Sequence, residues 1–399
     1  MSLTTQNYWI KGDRVLWCII SLLVIFSFLP VFSASSNLAY VIGKGTPLGY
    51  LIKHFVIMSF GFSLLFAVHK VPYTYFKGIS VLMMPVIFIL LIYTASQGNI
   101  IGGANANRWI EIPIIGFSFQ TSTLASMILM IYVANYMSKS NNSYLRFKNS
   151  FWLLWFPVIS IVMLIFPSNF STAVILLFMV ITQIFIGGYP SKYLIYILGF
   201  CIGMIFIFFL LVKTFPEIIP NRIDTWTSRI ENFKSGKQDG NYQIERAKIA
   251  IASGGVYGQG AGKSVMKNFL PQSSSDFIYA IIVEEYGLVG GVTLILLYLL
   301  LLFRIVVIVH KTSNLFGKLL VVGLGVPIVF QAFINIGVTL QVFPVTGQTL
   351  PLVSSGGTSA WMTFIALGII LSVSSSIQNN IQNNLTDIDN PLAILSEDK

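Results

Sequence analysis

Residues 275–309 read SDFIYAIIVEEYGLVGGVTLILLYLLLLFRIVVIV, and this stretch decides the fold. From Phe277 to Val309 it carries only Glu284, Glu285 and Arg304 as charges, and a helix crosses bilayer hydrocarbon in about 20 mostly apolar residues. Comparable apolar runs lie at roughly 15–33, 49–68, 78–95, 121–138, 152–166, 170–187, 193–212, 319–343 and 358–377. The pattern predicts an all-α, polytopic helical membrane protein of about ten transmembrane helices. Composition agrees: 399 residues with 55% hydrophobic and 10% charged content and a mean hydropathy of +0.80 exclude an ordinary soluble enzyme.

The charges orient the bundle, because Lys and Arg are retained on the cytoplasmic side of short loops. With the N-terminus inside, the inner segments hold Lys11, Arg14, Lys70, Lys77, Lys139, Arg146, Lys148, Lys192, Arg304, Lys311 and Lys318, whereas the short outer loops hold only Lys44 and Arg108. Both termini are therefore expected in the cytoplasm. The same bias accounts for much of the +10 net charge, so no nucleic acid partner is inferred. The run at 15–33 is longer than a signal-peptide core of about 7–15 residues and reads as an uncleaved first helix. Cys18 and Cys201 each fall inside an apolar run without a Cys or His neighbour, so neither a metal site nor a disulfide framework is indicated. Residues 1–377 are expected to form one transmembrane domain, with a long extracytoplasmic loop at 213–276 between helices 7 and 8, and 378–399 a short cytoplasmic tail. A shorter polar excursion lies near 96–120.

The long loop is patterned. Ile223, Trp226, Ile230 and Phe233 share one helical stripe, with Arg222 and Arg229 on another side. Two guanidinium forks on a surface helix suit phosphate oxygens, and anionic lipid headgroups would serve them equally. Tyr242 to Ala252 reads as a short helix stopped by Gly254-Gly255. The following Gly258-Gln-Gly-Ala-Gly-Lys-Ser264 looks like a nucleotide P-loop, but Tyr257 stands where that motif needs glycine. What survives is a flexible backbone able to approach a ligand, with Lys263 and Lys267 as candidate anion contacts.

Of fourteen Asp and Glu, only Asp276, Glu284 and Glu285 lie at or within an apolar run. Ionisable groups in a membrane are costly and are functional candidates for that reason. Asp276 sits at the outer mouth of its helix, where water and a lipid headgroup both reach it. Glu284 and Glu285 lie about 12 Å deeper at 1.5 Å per residue. They suit internal pairing, with Lys53 or protonation as the means of neutralising them.

Several motifs resemble the SEDS family (shape, elongation, division and sporulation), its division branch more than its elongation branch. They are Gly258 to Ser264 with Lys267, Phe269-Leu-Pro271, Ser275-Asp276-Phe277-Ile278, Glu284-Glu285-Tyr-Gly287, Phe333-Ile-Asn335-Ile-Gly337, and Pro344 to Ser359. Arg108-Trp109-Ile110 and Tyr242-Gln243 extend the match over nearly the whole chain. The resemblance implies a peptidoglycan glycosyltransferase that polymerises lipid II into glycan strands during bacterial cell division. It places the catalytic carboxylate on Asp276, as general base of an inverting transfer with undecaprenyl pyrophosphate as leaving group. Arg222, Arg229, Lys263, Lys267, Gln243, Trp109, Ser355 and Gly356 become candidate substrate contacts, and Glu284 and Glu285 structural intramembrane acids. No protein-held metal is expected, although a divalent cation (Mg or Mn) could bridge the pyrophosphate. Expected partners are a class B penicillin-binding protein transpeptidase, other divisome membrane proteins and membrane lipid, in the bacterial cytoplasmic (inner) membrane at the division septum.

The sequence also departs from the family pattern. The usual QPSE, with a lysine three residues on, is here Gln120-Thr-Ser-Thr123 and then Ser126, so an acid and a base are lost together. Asn169 stands where QPDxGTA has its aspartate, and Gln272 where LPE has its glutamate. These changes keep two alternatives open: a lipid II transporter (flippase), or a non-catalytic scaffold of the divisome.

Overall fold

The computed structural model describes residues 11–40, 46–96, 100–101, 104–105, 109–112, 117–139, 147–214 and 242–388. Its helices are α1 (Arg14–Tyr40), α2 (Pro47–Val68), α3 (Phe76–Ser96), α4 (Thr121–Ser138), α5 (Phe147–Ile165, with a π turn at Phe151–Trp155), α6 (Phe170–Ile186), α7 (Ser191–Thr214), α8 (Tyr242–Gly254), α9 (Ile278–Lys311), α10 (Leu315–Thr339) and α11 (Gly357–Ile388). Every apolar run read from the sequence falls on one of them, and α8 is the short helix expected in the long loop. Among the described residues seven helices, α1, α2, α3, α5, α9, α10 and α11, are long and apolar enough to cross a membrane, and α6 is a shorter apolar helix. The protein is an all-α polytopic membrane protein. In α4 the residues Thr121, Ser122, Thr123, Ser126 and Asn135 dilute the hydropathy.

Helix starts follow local chemistry. Asp13 accepts the Leu16 amide at 3.0 Å ahead of α1. Thr46 accepts that of Gly49 at 3.1 Å with Pro47 at the first position of α2, and Asn169 and Asn314 cap α6 and α10 in the same way. The first polar segment carries two small antiparallel ladders, β1 (Ile100–Ile101) with β2 (Ala104–Asn105), and β3 (Trp109–Ile112) with β4 (Phe117–Gln120). The second ladder ends at α11, where the Gln120 amide donates to Thr358 Oγ1 at 3.1 Å.

Helix α10 is the centre of the bundle and packs against α4, α6, α9 and α11. Small residues permit the close approaches that drive helix association in lipid: Gly61 on α2 lies under the Phe364 ring of α11, and Gly323 on α10 under the Gln183 amide of α6. Gln183 is fully buried, and its amide donates to Met130 O on α4 and Leu319 O on α10, both at 3.0 Å. Three helices are thereby joined by one side chain. Near the far end of α9 from Asp276, Arg304 forms an ion pair with Asp13.

The least expected feature is a break in α9. Gly287 has φ +67° and ψ −168°, which interrupts the helical ladder. In an unbroken helix the amides of Leu288 and Val289 would donate to the carbonyls of Glu284 and Glu285. Here Gln259 N and Gly260 N occupy those carbonyls, at 2.9 Å each, while Leu288 N and Val289 N donate to Gly255 O and Val256 O at 2.9 and 3.2 Å. The glycine loop thus replaces the two lost rungs and leaves none of these four backbone groups without a partner. In the glycine loop, expected to approach a ligand, the backbone at residues 258–260 lies against its own helix. A Cβ on Gly287 would lie 2.2 Å from Val256 O, and one on Gly258 2.2 Å from Glu285 O. Gly287→Ala is expected to cost at least about 1–2 kcal/mol from its positive φ alone, read as a lower unfolding temperature in detergent; an unchanged temperature would contradict this account of the break.

Candidate functional site

A cavity of about 630 Å³ lies among α1, α2, α4, α6, α10 and α11 and is also lined by residues 272, 274–276, 347–349 and 355–357. Its lining divides along the helices. The polar residues sit at helix ends: Gln120, Ser122, Thr123 and Ser126 on or before α4, Thr172 on the first turn of α6, Asp276 just before α9, and Ser355, Gly356 and Ser359 about the start of α11. Farther along α4 and α6, and on α10, the lining turns apolar, with Met127, Met130, Leu176, Met179, Leu324 and Ile328. Among the lining residues Asp276 is the one carboxylate and Lys53 the one lysine or arginine.

Asp276 is held from several directions. Its amide donates to Gln272 O at 3.2 Å, in a tight turn for which Gln272 adopts a left-handed φ of 57°. Its carbonyl accepts from Asn335 Nδ2 at 2.7 Å, and the same amide group donates to Gln348 O at 2.7 Å. The preceding carbonyls of Ser274 and Ser275 accept from Ser355 N at 2.9 Å and Ser354 Oγ at 2.5 Å. Residues 344–356, between α10 and α11, therefore form a strap bonded to the Asp276 turn. Further bonds run from Gln348 Nε2 to Thr172 Oγ1 at 2.8 Å, from Gln331 Nε2 to Thr349 O at 2.9 Å and from Tyr298 OH to Pro351 O at 2.5 Å. Gly347, at φ +66°, faces the carboxylate: a Cβ there would stand 3.6 Å from Asp276 Oδ2.

The structure brings together some of the residues singled out in the sequence and separates others. Asp276, Ser355 and Gly356 share the cavity. Lys263 is exposed on the glycine loop and does not line it. Lys267 is turned toward α1, with its ammonium donating to Ser33 Oγ at 3.1 Å and Gly262 O at 2.8 Å. Gln243 lies on α8, away from the lining. Trp109 pairs through its backbone with Gln120, which does line the cavity. Arg222 and Arg229 lie outside the described residues.

Glu284 and Glu285 are fully buried, and their partners correct the suggested pairing with Lys53. Glu284 accepts from Ser264 Oγ, from Val265 N at 2.9 Å and from Met266 N at 3.2 Å. Glu285 accepts from Ser33 Oγ and from Ser264 N at 3.3 Å. Both carboxylates therefore fasten the glycine loop, and Glu285 also ties it to α1, whereas Lys53 belongs to the cavity. On α2, Tyr50, Lys53, His54 and Ile57 form one helical stripe facing that space. Sequence reading had no signal for this placement beyond the spacing, since Lys53 and Asp276 reach the same cavity only through tertiary packing.

Among the described residues no three His, Cys, Asp or Glu side chains come together as a metal cluster. A cation carried by a pyrophosphate would find Asp276 as the only carboxylate in this lining, a poor donor set for a protein-held ion.

The bundle thus encloses a cavity whose lining carries one carboxylate, one ammonium and the His54 imidazole, with a cluster of polar side chains and a cluster of apolar ones. Residues 13–379 match the cell cycle protein family of FtsW, RodA and SpoVE, and the chain belongs to that family. It is similar to FtsW-type peptidoglycan glycosyltransferases. A probable peptidoglycan glycosyltransferase FtsW of Coxiella burnetii is 30% identical over 377 residues, covering 92% of this chain and 96% of that one. Another, from Hydrogenovibrio crunogenus, is 30% identical over 92% of this chain and 91% of its own length. The fold also matches a chain of a peptidoglycan synthase complex that coordinates polymerization and crosslinking, with a TM-score of 0.71 and 24% identity over 92% of this chain and 98% of that one. Thermus thermophilus RodA matches with a TM-score of 0.63, at 24% identity over 92% and 97% of the two chains.

Proposed function

We propose that this cavity polymerises lipid II into glycan strands, with Asp276 as the general base. The observation that carries the reading is Asp276 itself, the single carboxylate of a cavity that is polar at one end and apolar at the other. A lipid-linked sugar has that same polarity. Asp276 takes the proton of the acceptor sugar's 4-hydroxyl as that oxygen bonds to the donor's anomeric carbon. The bond from that carbon to the phosphate oxygen breaks on the opposite face, inverting the centre and releasing undecaprenyl pyrophosphate. The leaving group departs as a stable anion, so no enzymic acid is required of the cavity, in contrast to glycoside hydrolysis. Lys53 offsets the phosphate charge. The backbone donors and small side chains of Ser355 and Gly356 border the sugar, and Trp109, Gln243, Lys263, Lys267, Arg222 and Arg229 remain candidates for contacts outside the lining.

On this reading the chain spans the membrane about ten times with both termini in the cytoplasm, its loop of residues 213–276 lies outside, and Asp276 opens to the outer face. Cross-linking is left to a class B penicillin-binding protein transpeptidase among the divisome membrane proteins at the septum. A transporter would need a polar path through the bundle, whereas Met130, Met179 and Leu324 make the deep end of the cavity apolar. Liposomes containing the protein, with its transpeptidase partner, are expected to convert outward-facing lipid II into glycan strands. Movement of lipid II across the bilayer without strand formation would replace this reading with transport, and neither outcome would leave a scaffold.

A further inference from the structure

Three consecutive backbone carbonyls, those of Ser274, Ser275 and Asp276, each accept a hydrogen bond from outside their own turn. The first two donors belong to the strap, and the third is the Asn335 side chain on α10. Asn335 is 1% exposed, and its NH₂ group spends one hydrogen on Asp276 O and the other on Gln348 O, each at 2.7 Å. Gln348 follows Gly347, the residue whose bare face meets the Asp276 carboxylate. A single planar group therefore fixes, relative to each other, the backbone that carries the carboxylate and the wall that the carboxylate faces. Packing alone does not account for an amide here. The Asn335 Oδ1 atom is buried with no partner among the described residues, a cost that an apolar side chain of similar size would avoid.

We propose that Asn335 is the positioning residue for Asp276, holding the carboxylate at the angle from which it takes the acceptor's proton. The proposal rests on the role given to Asp276 above. A displacement of about 1 Å at a reacting group can cost on the order of 100-fold in rate, so the two donated bonds act on turnover more than on substrate capture. Asn335→Asp has the same shape but sets a carboxylate against two carbonyls; Asn335→Leu fills the space without a donor; Asn335→Ser retains one donor.

The test uses the full chain with its transpeptidase partner and lipid II. For Asn335→Asp and Asn335→Leu, kcat per folded molecule is expected to fall on the order of 100-fold, with KM for lipid II within about twofold of the parent, and Asn335→Ser to lie between. In parallel, the rate at which a water-soluble carbodiimide labels Asp276 is followed by mass spectrometry and is expected to change in the same order. A role in stability alone would lower the unfolding temperature and leave both kcat per folded molecule and the labelling rate as they were, and that result overturns the proposal. A variant that fails to fold is replaced by Asn335→Ser in both measurements. If the parent makes no glycan, the polymerase reading fails, and the labelling rate still decides whether Asn335 positions Asp276.

Discussion

Asp276→Asn is expected to lower glycan polymerisation by about 100- to 10,000-fold, the range that a positioned general base contributes. The substitution removes the basic oxygen and keeps the shape. The Asp276 amide on Gln272 O and its carbonyl under Asn335 Nδ2 are backbone bonds, and neither depends on the carboxylate. The unfolding temperature should therefore stay close to that of the parent, which separates a chemical defect from a folding one. The measurement is strand formation from lipid II by the purified protein with its partner. Polymerisation at the parental rate would remove Asp276 from the base role, and no other carboxylate lines the cavity to take its place, because the family's acidic position in the QPSE motif is Thr123 here.

Lys53→Met is expected to weaken lipid II binding by about 10- to 100-fold, the equivalent of a charge-assisted contact of about 1.5–3 kcal/mol. Methionine keeps an apolar stem of similar length, so the change is confined to the ammonium. Lys53 is the only lysine or arginine of the lining, and the family's α4 cation is replaced by Ser126, so removing it leaves the cavity without a fixed positive side chain. Binding measured in the Asp276→Asn background, where substrate is not consumed, should show the loss at low salt most clearly and Lys53→Arg should restore it. Equal affinity of the parent and Lys53→Met would move the phosphate contact to the cations on or near the glycine loop, or to Arg222 and Arg229.

The contrast between Lys53 and Lys267 shows what could be read from the chain alone. The helices were legible because the bilayer imposes length and hydropathy on each span separately, and Asp276 because a carboxylate at the edge of such a span is rare. Lys263 and Lys267 drew attention by their place beside the glycine loop, yet Lys267 is spent on Ser33 and Gly262, while the cation that reaches the cavity comes from α2. Contacts between residues so far apart are set by packing, for which local pattern carries no signal. The break at Gly287 was hidden for a similar reason: one glycine in a long apolar run is compatible with an intact helix, and only the bonds from residues 255–260 show that the ladder is shared. Glu284 and Glu285 were expected to be structural acids, and their partners are hydroxyls and backbone amides, which are present everywhere in a sequence and so point nowhere. Asn335 was visible as part of Phe333 to Gly337, but its task appears only when the Asp276 turn and the strap are seen on either side of its amide.

The most direct test is a structure of the Asp276→Asn protein, with its transpeptidase partner, bound to lipid II. The account predicts the sugar and pyrophosphate inside the cavity, with the phosphates beside Lys53, the first isoprene units along Met127, Met130 and Met179, and a sugar hydroxyl within hydrogen-bonding distance of residue 276. Lipid II bound elsewhere on the bundle, with residue 276 apart from any sugar, would contradict it.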